Sequence, residues 1–231
     1  MYDDGILLVS TKIELRGSQA RLTFQYTNNG PAVIADMKVT VDDPNSFLRF
    51  DLKPLPSTTI EGLGKANQIM MLECMKPAST GPTVTLEYVD TLLGRRCSKV
   101  AIPIIITSFN EPLALPSQDF ASRWQLLTGA GQQAMEVVTL PYSITPAQIN
   151  DVFVKVLRFG LVAMPDSSEV TLYGASSLKT GSLNASQQKI NIGCMAKVEL
   201  NVQARAVRVT LRTLHPMATE AILATVKSMF Q

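Results

Sequence analysis

The chain has 231 residues, 46% of them hydrophobic, and a formal net charge of +2. That length and composition suit one large domain or two ordinary ones with a buried core, whereas so small a charge excludes bulk electrostatic attraction to nucleic acid or anionic lipid. The chain has one histidine and three scattered cysteines, so we predict no metal and no cofactor. No apolar run approaches the ~20 residues that span a bilayer, so we predict no membrane insertion. We expect Cys74, Cys97 and Cys194 to be buried, unreactive thiols in a cytoplasmic protein.

The first half of the chain is predicted to be all β. Runs rich in β-branched and aromatic residues alternate with turn formers every ~8–12 residues. The predicted strands are Gly5–Leu15, Leu22–Tyr26, Val33–Val41, Phe47–Leu52, Gln68–Met75, Thr83–Val89 and Lys99–Thr107. This number and rhythm of strands are typical of an immunoglobulin-like sandwich.

A short connector at residues 108–116 separates the two halves. Pro112 and Pro116 interrupt both the strand pattern and the helix pattern, and they make the connector stiff. We therefore expect an immunoglobulin-like β-sandwich at residues 1–110, joined rigidly to a second subdomain at residues 111–231.

The second subdomain mixes helices and strands. A first helix begins with Ser117 as its predicted N-cap and ends near Leu127. The later predicted elements are a helix at Gln132–Val138, a helix from Pro146 to about Val156 with Thr145 as N-cap, strands at Leu157–Met164 and Glu169–Tyr173, a loop at Gly174–Ser186, strands at Lys189–Val202 and Ala206–Thr213, and a helix from Pro216. The fold class is therefore all-β followed by α+β, with a platform of antiparallel sheet flanked by helices.

An apolar stripe marks the helix that opens the platform. Phe120, Trp124 and Leu127 recur at helical spacing, so they lie on one face. Such a stripe is more often part of a core than a binding surface. The spacing alone does not distinguish these two interpretations, so the other residues of the subdomain are needed.

A second pattern lies on the two long strands near the C-terminus. Alternation places Lys197 and Glu199 on an exposed face, and it places Arg208 and Arg212 on the outer face of the next strand. If the two strands pair as a hairpin, the three cations form a positive patch. The patch is either a solvated sheet face or a surface that meets carboxylates of a short peptide.

Several motifs together resemble a known family. They are Ser117-Gln118-Asp119-Phe120, Arg123-Trp124, Ile192-Gly193-Cys194, Asn201-Val202-Gln203-Ala204 and Arg208-Val209-Thr210-Leu211-Arg212-Thr213. This set resembles the appendage, or ear, of alpha-adaptin, the large subunit of the plasma-membrane clathrin adaptor. The resemblance implies a non-enzymatic hub that binds D-P-F, D-P-W and F-x-D-x-F motifs in disordered tails of endocytic accessory proteins. It also implies a peripheral location at clathrin-coated pits, other adaptor subunits as partners through a trunk, and a chain that is a fragment of a longer subunit.

The resemblance assigns roles to individual residues of the platform. The matching positions are Phe120, Trp124, Lys197, Glu199, Arg208 and Arg212. The two aromatic residues match ring-binding positions, the two arginines match residues that meet ligand carboxylates and backbone, and the glutamate matches an acidic residue of the pocket rim. Two positions depart from the family. Lys197 stands where the family has an arginine, so the paired hydrogen bonds that a guanidinium makes with a carboxylate are lost. Ala121 stands where better-known members have a second phenylalanine, so one wall of the pocket is thinner.

The same resemblance implies a second site, for W-x-x-F motifs, on the sandwich. Lys12 and Gln68 match residues of that site. Gln25 stands where the family has a phenylalanine, and Phe24 is one residue out of register, which would turn its ring to the other face of the strand.

Other functions fit the sequence less well. The ear of another coat subunit, a beta-type adaptin or the gamma subunit of the Golgi coatomer, is an alternative within the same class. A nucleic-acid binder would place Lys197, Arg208 and Arg212 on phosphates, but one tryptophan and a net charge of +2 give it little support. A hydrolase would need a nucleophile–base pair, which the sequence does not suggest.

Overall fold

A computed structural model of the chain describes residues 2–230, which form two compact units. The first unit comprises the chain up to Met75 together with Gly81–Ile104, and the second comprises Lys76–Thr80 together with the chain from Ile105 onwards. No helix within the described range is long and apolar enough to cross a membrane.

The first unit is a sandwich of two antiparallel sheets. Its strands are β1 (Tyr2–Asp3), β2 (Leu7–Arg16), β3 (Gln19–Asn28), β4 (Ile34–Asp42), β5 (Leu48–Leu52), β6 (Lys65–Cys74), β7 (Thr83–Asp90) and β8 (Gly94–Ala101). One sheet has the order β1-β2-β3-β6-β5 and the other the order β4-β7-β8. Without β1 this is the strand order of a constant-type immunoglobulin domain, which confirms the predicted sandwich.

The sandwich core follows from alternation along its strands. On β3, Leu22, Phe24 and Tyr26 are fully buried, while the residues between them face outwards. The prediction that a strand covers Lys99–Thr107 was wrong, because β8 ends at Ala101. Pro103 follows two residues later and has no N–H to continue a ladder.

The second unit is a six-stranded sheet with helices on both faces. Its elements are a 3₁₀ helix (Ile106–Phe109), β9 (Asn110–Leu113), α1 (Ser117–Leu126), β10 (Gln133–Thr139), α2 (Pro146–Asp151), a π-helical turn (Val152–Val156), β11 (Gly160–Leu161), β12 (Thr171–Leu183), β13 (Lys189–Asn201), β14 (Ala206–Thr213) and α3 (Pro216–Phe230). The sheet order is β10-β14-β13-β12-β11, and β9 also pairs with β12. All pairings are antiparallel, so the predicted platform of sheet and flanking helices is confirmed.

Several local predictions for this unit were wrong. The predicted helix at Gln132–Val138 is strand β10, because its backbone pairs with β14 through seven successive residues, and tertiary pairing overrides local helix propensity. The predicted strand at Leu157–Met164 is reduced to β11. Ser117 is the first helical residue of α1 and not its N-cap, which is Pro116.

Strand β12 extends through most of a segment predicted to be a loop. Its serines and glycines suggested a flexible connection, but β12 continues to Leu183 because β13 and β9 satisfy its backbone. Gly174 is needed inside this strand, since a Cβ there would lie 2.6 Å from the ring of Phe153 and 2.9 Å from Cβ of Phe159. Gly174 therefore allows close packing of Phe153, in the π-helical turn, and of Phe159 on the sheet.

The two faces of the platform sheet carry different helices. Met195, Tyr173 and Ala175 face α1, because they pack in one cluster with Phe120. The residues that alternate with these point to the opposite face, where the side chains of Val207, Val209 and Leu211 are buried, and α3 contacts β10 and β14 there. Helix α1 therefore shares its face with the outward-pointing polar residues of β13 and β14.

Candidate functional site

The position of α1 is set by one buried ring. Phe120 is 1% exposed and packs against Tyr173, Ala175 and Met195 of the sheet. Its ring meets the Tyr173 ring edge-on at a centroid distance of 5.8 Å. Phe120 thus anchors the helix, and in this structure it is a core residue beneath the candidate site, not an exposed ring-binding surface.

Trp124 lies one turn further along α1 and is only partly buried. Its indole stacks on Phe120 with centroids 5.4 Å apart, and the guanidinium carbon of Arg212 lies 4.6 Å from the indole centroid. Arg212 also donates a hydrogen bond from Nη1 to the backbone carbonyl of Trp124. A cation–π contact and a hydrogen bond therefore tie the middle of α1 to strand β14.

The predicted hairpin of β13 and β14 exists, and it brings the polar residues together. The pairs Lys197–Thr210 and Glu199–Arg208 lie opposite each other, and Arg212 lies opposite Met195. Because the side chains of directly paired residues point the same way, all of these lie on the α1 face of the sheet. The structure therefore places the two arginines, Lys197 and Glu199 on the face that carries Trp124.

Arg208 has an acidic partner on the neighbouring strand, Glu199. Its Nε and Nη2 donate to the two carboxylate oxygens of Glu199 at 2.7 and 2.5 Å. Local sequence patterns did not predict this pair, because the partners are nine residues apart on different strands and only the register of β13 and β14 places them opposite each other. The hydrogen bonds from Arg208 hold the pKa of Glu199 below its usual range, so the carboxylate stays ionised near neutral pH.

Two residues that the sequence did not single out complete this cluster. The Tyr173 hydroxyl donates to Asp166 at 2.5 Å, and Lys197 Nζ lies 5.2 Å from the centroid of the Tyr173 ring. Lys197 also lies 3.3 Å from Glu199 and 3.8 Å from Asp166. Only the pairing of β12 with β13 places Tyr173 opposite Lys197, and nothing local in the sequence marks the loop residue Asp166.

The charges of the site nearly cancel, but one donor remains unused. Lys197 and Arg208 pair with the carboxylates of Glu199 and Asp166, whereas Arg212 contacts Trp124, so these five side chains carry one net positive charge. Nε of Arg212 is buried and has no hydrogen-bond partner among the described residues, and burial lowers the pKa of this guanidinium. Leaving a buried donor unsatisfied is costly, and Nε can only donate, so an acceptor that reached it would relieve this cost.

Two concavities border the site. An apolar cavity of about 170 Å³ lies beside α1 and is lined by residues that include Leu115, Arg123, Leu127 and Met195. A more polar concavity of about 410 Å³ is lined by residues that include Glu199 and Arg208. An apolar ring and a carboxylate could therefore each find a matching environment on this face.

The two residues assigned to the sandwich site do not form a common surface. Lys12 pairs with Thr23 and its side chain is 74% exposed, whereas Gln68 pairs with Phe24, points into the sandwich and is 4% exposed. Gln68 accepts a hydrogen bond from the Tyr26 hydroxyl at 2.8 Å and donates one to the Lys53 carbonyl at 2.8 Å. Gln68 is thus a satisfied core residue on the opposite face of the sheet from Lys12, and the second site stays a prediction that rests on the resemblance alone.

The cysteine prediction holds for two of the three thiols. Cys74 and Cys194 are buried, and burial raises the pKa of each to about 12. Cys97 is exposed, because its strand lies at the edge of the three-stranded sheet and its side chain points outwards.

Among the described residues, no group of three or more His, Cys, Asp or Glu side chains could hold a metal ion.

Comparison with known proteins locates the chain among adaptins. Two family models match it: the C-terminal domain of alpha adaptin AP2 at residues 108–230 and the adaptin C-terminal domain at residues 1–92. The GAE domain of yeast GGA1 covers 45% of this chain and 96% of its own, with 15% identity and a TM-score of 0.39, a likeness too low to carry an argument.

Two curated relatives cover almost the whole chain. The AP-2 complex subunit alpha-2 of Dictyostelium discoideum is 25% identical over 96% of this chain, and the AP-2 complex subunit alpha-1 of Arabidopsis thaliana is 24% identical over 95%. The chain spans 22% and 21% of the length of these relatives. The resemblance to the alpha-adaptin appendage is thereby confirmed, and the chain belongs to the alpha adaptin AP2 C-terminal domain family.

Proposed function

We propose that this chain is a clathrin-adaptor appendage that recruits endocytic accessory proteins by binding short aromatic-acidic motifs on its platform. The motifs are D-P-F, D-P-W and F-x-D-x-F in disordered tails. The module works as part of a larger AP-2 alpha subunit, peripherally at plasma-membrane clathrin-coated pits, and it binds without catalysing a reaction. The family match supports the class of protein, and the platform face supports the class of ligand.

One observation carries the proposal: the only tryptophan of the chain is partly exposed beside arginines on one face. Phe120 supports the indole from within the core, so Trp124 is held rigidly. A rigid aromatic residue near cations is a typical hot spot for a ligand that combines a ring with a carboxylate. The ligand ring would contact Trp124 or enter the apolar cavity beside α1, and its carboxylate would meet the guanidinium of Arg208 or Arg212.

The test is a titration of a synthetic D-P-F peptide, followed by calorimetry and by the fluorescence of Trp124. Trp124→Ala should weaken binding by about 2 kcal/mol, or roughly thirtyfold, because a central aromatic contact is lost. Arg208→Ala should weaken binding comparably or less. Leu161→Ala is the matched control, since Leu161 is 50% exposed in the same unit but does not line the site.

Circular dichroism and thermal unfolding of Trp124→Ala show whether the Trp124 side chain belongs to the core or to a binding surface. If Trp124→Ala unfolds the platform, the indole belongs to the core, and the second test is whether Arg208→Ala weakens the peptide. If Trp124→Ala folds and binds as tightly as the wild type, the site lies elsewhere and the proposal is wrong. Because the surface is small, one motif should bind weakly, and several motifs on one tail should raise the avidity.

A further inference from the structure

Helix α1 presents two different flanks above the platform sheet. Phe120 faces the sheet, and each further residue turns about 100° around the helix axis. Trp124 therefore lies about 40° to one side of Phe120, whereas Arg123 and Leu126 lie about 60° and 120° to the other side. The indole that contacts Arg212 is thus on one flank, and a second set of side chains is on the opposite flank.

The apolar cavity of about 170 Å³ lies on this second flank. Its walls come from α1, from the segment before α1 and from the sheet, and they include Leu115, Leu127 and Met195. Trp124 is not among the described residues that line it. The cavity is therefore separate from the ring on which the proposed motif site depends.

Gly193 keeps the floor of the cavity open. It lies on β13 two residues before Met195, so both positions face α1. A Cβ at Gly193 would lie 3.2 Å from Cδ1 of Leu214, which is closer than an ordinary carbon–carbon contact. A glycine inside a strand often marks a close approach of a ligand or of another backbone. The atoms found within 4 Å of that Cβ position belong to the Leu214 side chain and not to another backbone, so the space above Gly193 suits a ligand.

The rim and the size of the cavity indicate what kind of group enters it. Leu126 is 79% exposed and Leu214 is 58% exposed, so both would gain from being covered by an apolar group. The volume is below the about 300–1,000 Å³ of small-molecule sites, which favours a single side chain of a peptide. The described lining contains no aromatic ring that could stack on a ligand ring. A branched aliphatic side chain such as leucine is therefore the best match.

Arg123 supplies the charge at this cavity. It is the one charged side chain among the described residues that line the cavity. Within residues 2–230 its guanidinium forms no ion pair, not even with Asp119 one turn earlier on α1. A ligand carboxylate could therefore bind Arg123 without displacing an internal partner, in contrast to Arg208, which Glu199 already occupies. This favours an acidic residue next to the apolar one.

The two contacts fix the spacing of the two ligand residues. Successive side chains of an extended peptide point to opposite sides, and residues two positions apart lie about 7 Å from each other on the same side. A leucine in the cavity and a carboxylate at Arg123 therefore have to be two positions apart. In directly adjacent positions the carboxylate would point away from Arg123.

We propose that the cavity on the Arg123 flank of α1 is a second peptide site of the platform, which takes a leucine side chain while Arg123 binds an acidic residue two positions away. This goes beyond the proposed function, and it leaves the aromatic ring of the motif at Trp124. One tail could then occupy both flanks of α1, which would raise its avidity.

The experiment titrates the full chain with capped peptides and follows the methyl groups of Met195 and Leu214 by NMR. The spaced peptides are Ser-Leu-Ser-Glu-Ser and its reverse, Ser-Glu-Ser-Leu-Ser, and the control peptide Ser-Ser-Leu-Glu-Ser has the same composition with the two residues adjacent. At least one spaced peptide should shift both methyl signals with a dissociation constant in the millimolar range. The control peptide should bind about twofold to fivefold more weakly, as expected when one exposed ion pair is lost.

A variant of Arg123 tests the ion pair. Arg123→Gln should weaken the spaced peptide about twofold to fivefold and remove its advantage over the control peptide. Arg123→Lys keeps the charge and should retain most of that advantage. Arg205→Gln is the matched control, because Arg205 is an exposed arginine of the same unit that does not line the cavity, and it should change neither affinity.

A variant of Gly193 tests the cavity. Gly193→Ala narrows the floor, so it should weaken all three peptides about tenfold or more. The exposed Leu214 side chain can move aside for the added methyl group, so we expect the variant to fold, which circular dichroism checks. If it does not fold, Leu126→Asp replaces it, because a negative charge on the exposed rim should repel the glutamate and weaken the spaced peptide.

Four results separate this proposal from its alternatives. If no peptide shifts the Met195 and Leu214 signals, the cavity is not a peptide site and the proposal is wrong. Binding that Arg123→Gln leaves unchanged also overturns it, because the acidic residue is then not recognised. If a capped Asp-Pro-Phe shifts the same signals and competes with the spaced peptide, the cavity takes the ring of the motif, and only the separate site is wrong. If the spaced peptide binds and Asp-Pro-Phe binds nowhere, the proposed function fails and the second site stands.

Discussion

Glu199 occupies the guanidinium of Arg208 that a ligand carboxylate would otherwise meet. Both carboxylate oxygens are engaged, and Lys197 lies 3.3 Å away on the other side. In the free protein Glu199 is therefore an internal counterpart of the acidic residue in the expected motif. A ligand carboxylate that binds Arg208, as proposed, would have to displace Glu199 or share the arginine with it.

The variant Glu199→Gln tests this competition. It keeps the shape of the side chain but removes its charge, so a D-P-F peptide should bind about threefold to tenfold more tightly. An N-P-F peptide, which lacks the carboxylate, should bind both proteins equally in calorimetry. Weaker binding of D-P-F to the variant would show instead that Glu199 orients Arg208 for the ligand.

The sequence predicts which residues share a face but not which residues touch. Alternation along β13 and β14 places Lys197, Arg208 and Arg212 together, because strand parity is a local property. The Glu199–Arg208 pair depends on register, and the Asp166 contact depends on a loop conformation, neither of which local patterns determine.

At the scale of elements, α1 has a side that faces the core and a side that is exposed. Phe120 is buried in the cluster that attaches the helix to the sheet, while Leu126 on the same helix is 79% exposed. Residues three or four apart on a helix are neighbours, so the anchor directly supports Trp124. Stability and binding should therefore respond to different substitutions within this helix.

Phe120→Ala should lower the free energy of unfolding by about 3 kcal/mol, because removing a buried ring leaves a cavity. Denaturant unfolding followed by circular dichroism measures this loss. Leu126→Ala, in the same helix, should change the stability by less than about 0.5 kcal/mol. Equal effects of the two substitutions would contradict the assignment of Phe120 as the anchor.

The start of the sandwich depends on a carboxylate. Tyr88 and Tyr2 donate hydrogen bonds to Asp4 at 2.5 and 2.8 Å, and the backbone N–H groups of Ile6 and Leu7 donate to its other oxygen. Burial would raise the pKa of Asp4, but these hydrogen bonds outweigh it and lower the pKa below its usual value. The bonds therefore stabilise the folded sandwich while Asp4 is ionised.

The pH dependence of stability should show this contribution. Because the folded pKa is lowered, the stabilisation is present above the unfolded pKa of about 3.9 and is lost as the pH falls through the folded pKa. Asp4→Asn should be less stable than the wild type at pH 7, and the difference should disappear on acidification. Thermal unfolding between roughly pH 2 and pH 7 measures this, and a constant difference would contradict it.

Elements with long-range partners were the ones that local patterns missed. The turns and alternation of β2 to β7 are local and were predicted, as was Thr145 as the N-cap of α2. Strand β10 and the second half of β12 were not. The start of β10, Gln133-Ala134-Met135-Glu136, favours a helix and the small residues of β12 suggested a loop, so only pairing with neighbouring strands makes these segments strands.

Across the whole molecule, the net charge of +2 and the nearly balanced platform argue for recognition by contact and not by bulk attraction. The affinity for a D-P-F peptide should therefore fall less than about tenfold between roughly 50 and 200 mM salt, whereas binding through several phosphates would fall by roughly a thousandfold or more. Calorimetry across this range with the peptide and with single-stranded DNA makes the comparison. Tight, steeply salt-dependent binding of the DNA would favour the nucleic-acid alternative.

Because Cys97 is exposed, the chain can be coupled to a surface through this one thiol. Since Cys74 and Cys194 are buried with raised pKa values, a maleimide reagent should modify Cys97 selectively in the native protein. This thiol lies in the sandwich, whereas the candidate site lies in the platform. Sensor surfaces loaded through it would hold every chain by the same residue at a chosen density, so that the average spacing between neighbouring chains becomes an experimental variable.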